Sequence, residues 1–332
     1  MKALVVPEPG KLEIRDLPLP QPGPYEALVK IEACLICNTT DRLIIDNEFP
    51  WPPSYPCVLG HESVGKVVEI GSEVTSFQVG DRVSRAGWRS NDPDTPSSWW
   101  GGFSEYGLAE DVEAVRASGG NLATASNQAP MVIPPDISLE TAALFVSLGE
   151  NASFIQAMGS VRGKTVGILG TGIAGLAMAL FAKSQGAETV VVFGRREERL
   201  KLARQLGADL ALSTETSPDE PPPGLDYLVE AAGSPAAVKH CLQWLKNEGT
   251  LALYGVSTED YRFAMTKAPQ KFSVQRLGPD ETAVWPELID WARSGKIPTD
   301  LLLSGEWDFE DYEKAFAAVA EKKAVKAMLR IG

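Results

Sequence analysis

A thiol, an imidazole and a carboxylate occur close together in the N-terminal part of this chain, which contains only two histidines. Cys37 is followed by the glycine-rich segment Gly60–Gly65, which contains His61 and Glu62. A thiolate, a neutral imidazole and a carboxylate are ligands that hold Zn²⁺ when one coordination position must stay open for a substrate. The sequence therefore predicts a catalytic metal site at Cys37, His61 and Glu62.

The other cysteines and the second histidine are expected to be structural. Cys34 precedes the predicted ligand thiol by three residues, a spacing that also occurs in redox pairs. Redox pairs open a helix directly after a strand, whereas here a histidine and a glutamate follow, which favours a metal. We expect Cys34 to be a buried core thiol, Cys57 and Cys241 to be structural, and His240 to be a partly exposed side chain in a helix over residues 235–246.

Two kinds of local pattern divide the chain. The N-terminal part has short β-rich segments such as Ala27–Ile31 and Val64–Ile70, separated by proline and glycine, which is typical of a barrel-like β domain. From Ser138 onwards, strands and helices alternate, as in βαβ units on a parallel sheet. In that part, strands are predicted at residues 165–169, 189–193, 226–230 and 250–254, and helices at residues 173–185 and 196–206.

A Gly-x-Gly-x-x-Gly pattern stands between the first of these strands and its helix. In a dinucleotide-binding turn, absent side chains let the backbone approach a pyrophosphate, and the helix N-terminus supplies N–H donors. The alternative is a tight turn without a ligand, but the strand before it and a second strand ending at Phe193 favour a dinucleotide. The expected contact residues are Gly170, Thr171, Gly172, Ile173, Ala174 and Gly175.

The residues after the second strand indicate which dinucleotide binds. A site that prefers NAD has Asp or Glu there to accept hydrogen bonds from the ribose hydroxyls, but this chain has Gly194, Arg195 and Arg196. A small residue leaves room for a 2′-phosphate, and guanidinium groups bind it in bidentate fashion. NADP is therefore the expected cofactor, with NAD possible. In the alternative interpretation, the arginines begin a solvated helix and pair with Glu197 or Glu198.

Length and charge limit the classes of function. At 332 residues the chain is long enough for two domains, each with its own core. The net charge of −13 argues against a nucleic-acid or anionic-membrane partner. The start of the chain lacks the pattern of a signal peptide, and no apolar run is long enough for a membrane span, so a soluble cytoplasmic protein is expected.

Taken together, these motifs resemble the medium-chain dehydrogenase/reductase superfamily, in its zinc-dependent alcohol dehydrogenase branch. The resemblance covers the whole chain and rests on Cys37, Gly60-His61-Glu62, Val67, Gly71, Gly80–Val83, Gly101–Tyr106, Gly170–Gly175 and Gly295-Lys296. It implies an α/β protein with a GroES-like β-rich catalytic domain at residues 1–137 and 278–332. A Rossmann domain with a doubly wound parallel sheet would occupy residues 138–277 and bind NADP.

The resemblance also implies roles for individual residues. Cys37 and His61 match the first two ligands of a catalytic zinc, and Glu62 matches a carboxylate that lies beside the metal or ligates it. One alignment puts Val146 or Ser147 at the position of the third ligand, but neither is plausible. An alignment anchored on Leu148-Gly149 places Glu150 there, so Glu150 is the expected ligand, the alternative being a solvated glutamate at a helix start. No structural zinc is expected, because Ser84–Trp100 contains no cysteine.

The proton pathway of the family is only partly matched. Thr39 retains the hydroxyl that contacts the substrate oxygen and passes its proton on, but Arg42 stands where a relay histidine usually lies. Proton exit must then use the cofactor ribose, water or another group, and Arg42 could hold a phosphate or an acidic substrate. Gly233, Gly255 and Val256 are expected to complete the cofactor site.

Some alternatives stay open. The aromatic stretches Phe49–Trp51 and Trp88–Trp100 are either a substrate wall or the packing of an irregular loop. The implied activity is hydride transfer between NADP(H) and an alcohol, ketone or aldehyde. A zinc-free NADPH-dependent enoyl or quinone reductase of the same superfamily is the first alternative, and a nucleotide-binding sensor or structural protein with a decayed active site is the second. Relatives form homodimers or homotetramers through a sheet edge, a pairing that Thr250–Val256 could provide.

Overall fold

The computed structural model describes residues 1–51, 54–216, 222–263 and 265–332. In chain order the strands are β1 (Lys2–Val6), β2 (Glu13–Asp16), β3 (Glu26–Leu35), β4 (Cys57–Val58), β5 (Glu62–Ile70), β6 (Arg82–Ser84), β7 (Ser97–Ser98), β8 (Tyr106–Glu110), β9 (Val132–Ile133), β10 (Thr165–Leu169), β11 (Thr189–Gly194), β12 (Leu210–Ser213), β13 (Leu225–Glu230), β14 (Leu245–Leu253), β15 (Phe272–Arg276), β16 (Leu303–Asp308) and β17 (Lys326–Arg330).

The α-helices are α1 (Thr40–Ile45), α2 (Val112–Ser118), α3 (Leu139–Ala143), α4 (Phe145–Ala157), α5 (Ile173–Ser184), α6 (Glu197–Gln205), α7 (Pro235–Cys241), α8 (Glu281–Arg293), α9 (Thr299–Leu302) and α10 (Tyr312–Ala320). Short 3₁₀ segments lie at Ser126–Gln128, Leu242–Trp244 and Phe309–Asp311. None of the helices in the described residues combines the length and apolar character that crossing a bilayer requires.

The chain forms two compact units. Unit 1 comprises Met1–Val146 and Glu281–Gly332, and unit 2 comprises Ser147–Asp280. The sequence placed the first boundary at residue 137, whereas in the structure it falls within α4, because α3 contacts β3 and β5 of unit 1. The second boundary lies where α8 begins.

Unit 1 is built on two β-sheets. One has seven strands in the order β16-β17-β3-β5-β6-β9, with β8 also paired to β3. The other has four strands in the order β2-β1-β4-β7. Seven of the ten residues of β3 are buried, and its backbone pairs with β5 on one side and with β8 and β17 on the other. The apolar core between these strands includes the buried thiols of Cys34 and Cys57, as expected.

The antiparallel register between β3 and β5 positions the candidate ligands. Leu35 at the end of β3 lies opposite Glu62 at the start of β5. Residues just after β3 and just before β5 therefore meet at one end of the ladder. This is the reason that Cys37 and His61 are neighbours in space although they are far apart in the chain.

Unit 2 contains six parallel strands in the order β12-β11-β10-β13-β14-β15. Numbered within the unit, this is the order 3-2-1-4-5-6 of a Rossmann sheet, which reverses between β10 and β13. The predicted α/β class and doubly wound parallel sheet are therefore confirmed. β10 is buried at every position, as expected of a central strand covered on both faces.

Two sequence-based expectations for unit 2 are wrong. The helix predicted over residues 235–246 ends at Cys241, because Leu245 already pairs with Leu225 as part of β14. Thr250–Val256 was expected to offer a free edge, but β14 lies between β13 and β15, so its backbone is paired on both sides. Among the described strands, the sheet edges are β12 and β15. His240 is partly exposed, as expected, and its ring packs edge-on against Trp244.

Candidate metal centre

Three candidate ligands converge at one end of the β3–β5 ladder. The ligand atoms of Cys37, His61 and Glu62 all lie within 4.8 Å of one another. His61 and Glu62 are buried, with 6% and 2% of their surfaces exposed. The sequence placed these residues in a single site, and the structure brings them together.

The Cys37 thiol is held in surroundings that favour the thiolate. Its own backbone N–H donates to Asp41 Oδ2 at 2.8 Å, and the Thr40 N–H lies 3.4 Å from its Sγ. Burial alone would raise the pKa of the Cys37 thiol, but the positive charge of Lys326 and the hydrogen bond with His61 lower it below its usual value. A thiolate is the form of cysteine that binds a metal.

The His61 ring stands between two carboxylates. Its Nδ1 lies 3.6 Å from Asp41 Oδ1, and its Nε2 lies 3.5 Å from Glu62 Oε1. Burial lowers the pKa of His61, but interactions with Asp41 and Cys37 outweigh it and leave that pKa well above its usual value. Histidines that bind a metal through one nitrogen usually direct the other at a carboxylate, and Asp41 is placed for that task.

Glu62 has a second buried partner. Lys326, at the start of β17, forms an ion pair with Glu62 Oε1, and only 1% and 2% of the two side chains is exposed. Lys326 Nζ also donates to the carbonyl of Ile36 at 3.4 Å. Burial lowers the pKa of Lys326, but the negative charge of Glu62 reverses this effect and raises it. Glu62 is therefore held by a buried counter-ion in this structure.

These residues fit a zinc ion. The donor set of thiolate, imidazole and carboxylate is the one that zinc sites use, and the three ligand atoms are close enough to share one ion. Asp41 supplies the carboxylate beside the histidine. His61 Nδ1 and Asp41 Oδ1 are buried without a hydrogen-bond partner among the described residues.

The two residues with expected proton-transfer or anion-binding roles are both exposed. Thr39 directly precedes α1, and its side chain makes no capping hydrogen bond there. Its hydroxyl, two residues after Cys37, is therefore available to a substrate. Arg42 is exposed, whereas its neighbours Asp41 and Leu43 are buried. An exposed guanidinium can meet an anion.

Glu150, the expected third ligand, lies on α4 within unit 2. Its Oε2 accepts a hydrogen bond from the Tyr254 hydroxyl at 3.3 Å. Val146 and Ser147, at the position given by the other alignment, are buried, with 1% and 3% of their surfaces exposed. The ligand role of Glu150 stays a prediction.

Unit 2 places the predicted cofactor residues at the carboxyl edge of its parallel sheet. Gly170, directly after β10, has a φ of 118°, which favours glycine. A Cβ on Gly175 would lie only 2.0 Å from the carbonyl oxygen of Gly170, so the helix can approach the turn only because no side chain is present. Gly172 precedes α5, and Ile173 and Ala174 begin it. Thr171 is buried.

The positive charge after β11 is larger than the sequence analysis recognised. Gly194 ends the strand, Arg195 is exposed, and Arg196 caps α6. Arg199, only 6% exposed, lies one turn further on. Burial and the neighbouring charge of Arg196 lower the pKa of Arg199. The i,i+3 spacing of the two arginines was the signal that could have identified Arg199.

A buried carboxylate organises the other half of the cofactor edge. Glu230, fully buried at the end of β13, accepts hydrogen bonds from the N–H groups of Ala232 and Ser234 at 2.8 and 3.1 Å, and from the Tyr261 hydroxyl at 2.7 Å. Burial and the charge of Glu230 raise the pKa of Tyr261.

This carboxylate packs directly against the predicted cofactor residues. A Cβ on Gly255 would lie 2.4 Å from Glu230 Oε2, and one on Gly233 would lie 2.2 Å from the carbonyl oxygen of Val256. The sequence analysis named these two glycines and Val256, but it missed Glu230 and Tyr261.

An aromatic series runs from the surface to the candidate metal centre. The rings of Trp51, Phe49, Trp99 and Trp100 follow one another with centroid separations of 5.7–5.8 Å, all in edge-on contacts. Trp100 then lies 5.1 Å from the His61 ring. Trp51 is 62% exposed, whereas Phe49, Trp99 and Trp100 pack against the core of unit 1. The series therefore contributes to packing and also borders the site.

Comparisons with known proteins agree with this geometry. The profile of the family described as "Alcohol dehydrogenase GroES-like domain" matches residues 23–119, and that of "Zinc-binding dehydrogenase" matches residues 174–294. An L-threonine 3-dehydrogenase from Xanthomonas euvesicatoria pv. vesicatoria is 31% identical over 99% of both chains.

Two solved structures share the whole fold. One, assigned to the zinc-binding dehydrogenases of Sinorhizobium meliloti 1021 and bound to NADP, has a TM-score of 0.81 and 25% identity and covers 99% of both chains. Benzyl alcohol dehydrogenase from Acinetobacter calcoaceticus has a TM-score of 0.83 and 23% identity, with 100% of this chain and 99% of that chain covered. The chain belongs to the zinc-dependent branch of the medium-chain dehydrogenase/reductase superfamily, whose members are NAD(P)-dependent oxidoreductases that act on CH–OH donors.

Proposed function

We propose that this protein is an NADP(H)-dependent alcohol dehydrogenase or carbonyl reductase with one catalytic zinc and no structural zinc. The observation that carries the proposal is the convergence of Cys37, His61 and Glu62 within 4.8 Å. Cys37 and His61 are the proposed first ligands, with carboxylate from Glu62 and Glu150. When bound, zinc supplies a Lewis acid that polarises the substrate oxygen.

The protein residues have separate tasks in this reaction. Asp41 orients the His61 ring, and Lys326 holds Glu62 in place. The exposed hydroxyl of Thr39 accepts a hydrogen bond from the substrate alcohol and relays its proton, giving up its own hydrogen as it receives the one from the substrate. The carbon of the alcohol gives a hydride to the nicotinamide, so that the alcohol becomes a ketone or aldehyde and NADP⁺ becomes NADPH. The proton leaves through water or the cofactor ribose. Arg42, exposed nearby in sequence, is proposed to meet an anionic group of substrate or cofactor.

The preference for NADP rests on the end of β11. Gly194 offers no carboxylate to repel a 2′-phosphate, and Arg195, Arg196 and Arg199 supply guanidinium groups that bind phosphate well. The S. meliloti relative was solved with NADP, which supports the same choice. Gly170–Gly175, Gly233, Gly255 and Val256 are the proposed contacts to the rest of the dinucleotide.

Two observations favour the zinc-free alternative. Lys326 already neutralises Glu62, and one alignment places Val146 or Ser147, neither of which is a plausible ligand, at the third-ligand position. A site in which an ammonium replaces the metal would suit an NADPH-dependent enoyl or quinone reductase, whose reaction needs no Lewis acid on an alcohol oxygen.

Metal analysis and turnover distinguish these functions. Protein purified without added zinc is expected to contain about one zinc per chain. It should reduce NADP⁺ with some member of a panel of secondary, aromatic and polyhydric alcohols that includes L-threonine. Cys37→Ser should lose the metal and lower kcat/KM by at least about 100-fold. The control is Cys241→Ala, which removes a thiol buried in unit 2 and should retain the metal and the wild-type kcat/KM. A metal-free protein that reduces enones or quinones with NADPH would support the alternative, and no turnover with either panel would contradict both.

A further inference from the structure

Arg85 occupies an unusual backbone conformation beside the candidate metal centre. It follows β6 with a φ of 57°, a region that non-glycine residues enter only where the surrounding structure holds them. Its N–H donates to the carbonyl of Ser63 at 2.9 Å, and the Ser63 hydroxyl donates to the carbonyl of Ala86 at 2.5 Å. The chain after β6 is thus bound to the residues that follow His61.

The Arg85 side chain reaches His61 itself. Its Nη1 donates to the carbonyl oxygen of His61 at 3.0 Å. Its Nε lies 2.9 Å from Glu281 Oε2, and its Nη2 pairs with Glu281 Oε1. Both side chains are only 3% exposed. Glu281 therefore fixes the guanidinium in a two-point contact, and the guanidinium fixes the peptide that carries the imidazole.

We propose that Arg85 and Glu281 are positioning residues that set the His61 backbone for metal binding, an inference that rests on the proposed zinc site. A ligand ring keeps its orientation only if its own backbone is held, and groups one step away from a metal commonly change affinity 10- to 100-fold. Neither residue is one of the candidate ligands Cys37, His61 and Glu62. Their effect passes through the His61 carbonyl.

The chain provides a matched control in Arg82. Its Nε lies 3.0 Å from Glu32 Oε2, and its Nη1 donates to the carbonyl oxygen of Ile137 at 2.8 Å. Arg82 thus makes the same two kinds of contact in the same unit, with 14% of its side chain exposed. The carbonyl that it holds does not belong to a candidate ligand.

The test compares Arg85→Lys with Arg82→Lys. Lysine keeps the positive charge, so the buried carboxylate retains a counter-ion, but it cannot bind the carboxylate at two points and the carbonyl at once. Zn²⁺ affinity is measured by competition with a chromogenic chelator, and site geometry is followed by the visible absorption of the Co²⁺-substituted protein. If Arg85→Lys does not fold, Glu281→Gln serves as the second variant, because glutamine keeps the shape of the glutamate side chain.

We expect Arg85→Lys and Glu281→Gln to weaken Zn²⁺ binding about 10- to 100-fold and to alter the Co²⁺ spectrum. Arg82→Lys should leave the Zn²⁺ affinity and the Co²⁺ spectrum unchanged, although its thermal midpoint falls by about as much as that of Arg85→Lys. If Arg85→Lys binds Zn²⁺ no more weakly than Arg82→Lys, with the wild-type Co²⁺ spectrum, the positioning role is wrong while the zinc site stands. If the wild-type protein itself binds no Zn²⁺, the proposed function fails, and this inference fails with it.

Discussion

Lys326 and Glu62 form an ion pair that is almost completely removed from solvent, although 264 residues separate them in the chain. The pair joins the start of β17 to the start of β5, because both strands flank β3. Breaking a buried ion pair from one side leaves a buried charge without compensation, which destabilises a protein far more than the loss of an exposed pair.

Lys326→Met should therefore lower the free energy of unfolding by about 3–5 kcal/mol, measured by urea denaturation in the presence of a chelator. The double variant with Glu62→Gln should regain much of that loss, because no buried charge is left. As a control, Lys271 and Glu248 form an exposed pair at 2.7 Å, with 73% and 66% of the side chains accessible. Lys271→Met is expected to lower the free energy of unfolding by less than about 1 kcal/mol. Equal decreases for Lys326→Met and Lys271→Met would show that the buried pair contributes no more to stability than the exposed pair.

Arg196→Ala tests the cofactor preference. Hydrogen bonds to charged groups contribute about 1.5–3 kcal/mol, so the KM for NADPH should rise roughly 10- to 100-fold while that for NADH stays unchanged. Arg204→Ala is the control, because Arg204 lies in the same helix but contacts Glu197 at 3.1 Å and the Ala211 carbonyl at 2.9 Å. A parallel rise for both nucleotides would argue that Arg196 stabilises the fold and does not select phosphate.

Tyr261→Phe removes the hydroxyl that donates to buried Glu230. The carboxylate keeps its two backbone donors, so the expected loss of stability is about 1–2 kcal/mol. Because Glu230 packs against Gly255, the Kd for NADPH, measured by fluorescence titration, should increase while zinc content stays at the wild-type level. The control is Tyr227→Phe, because the Tyr227 hydroxyl makes only a 3.5 Å contact with the Ser160 carbonyl. This variant should change neither the stability nor the Kd for NADPH. Unaltered NADPH binding in Tyr261→Phe would show that the contact between Tyr261 and Glu230 does not influence the cofactor site.

Asp111 gives a pH-dependent prediction. Burial would raise its pKa, but hydrogen bonds from the N–H groups of Ala114, Thr75 and Ser76 and from the Ser76 hydroxyl lower it below the usual 3.8. The folded state therefore binds a proton less readily than the unfolded state. The stability contributed by Asp111 is fully present above the unfolded pKa and is lost as the pH falls through the folded pKa.

Asp111→Asn should accordingly be less stable than wild type by about 1–3 kcal/mol at pH 7. The difference should narrow near pH 3, as measured by urea titrations at both values. A difference that does not depend on pH would mean that the loss arises from hydrogen-bond geometry and not from charge.

The parts of the site that could be predicted from sequence are those within short segments. Cys37 lies in one such segment, and His61 and Glu62 lie in another, so residue type and spacing were sufficient to propose them. Lys326 gave no local signal, because its contact with Glu62 depends on the pairing of β17 with β3. Tyr261 was missed for the same reason, because its partner Glu230 lies 31 residues earlier in the chain, at the end of β13.

Local pattern also failed where two elements compete for the same residues. Residues 242–246 have a helical composition, but Leu245 becomes part of β14 because it pairs with Leu225 and is buried. The order of the sheet likewise decides that Thr250 is internal, since β15 comes from a later part of the chain. Such contacts depend on tertiary structure and leave no trace in a short window.

The pairing of β3 with β5 contains two irregularities, between Leu28 and Val29 and between Ile31 and Ala33. At each irregularity the pairing shifts by one residue before the ladder reaches Leu35 and Glu62. Deleting one residue there would shift the remaining pairs by one step and turn alternate side chains to the opposite face. Unit 2 could then still fold around its own core and bind a nucleotide. Unit 1 would hold no metal, so the capacity to retain zinc would report on whether these two strands are correctly aligned.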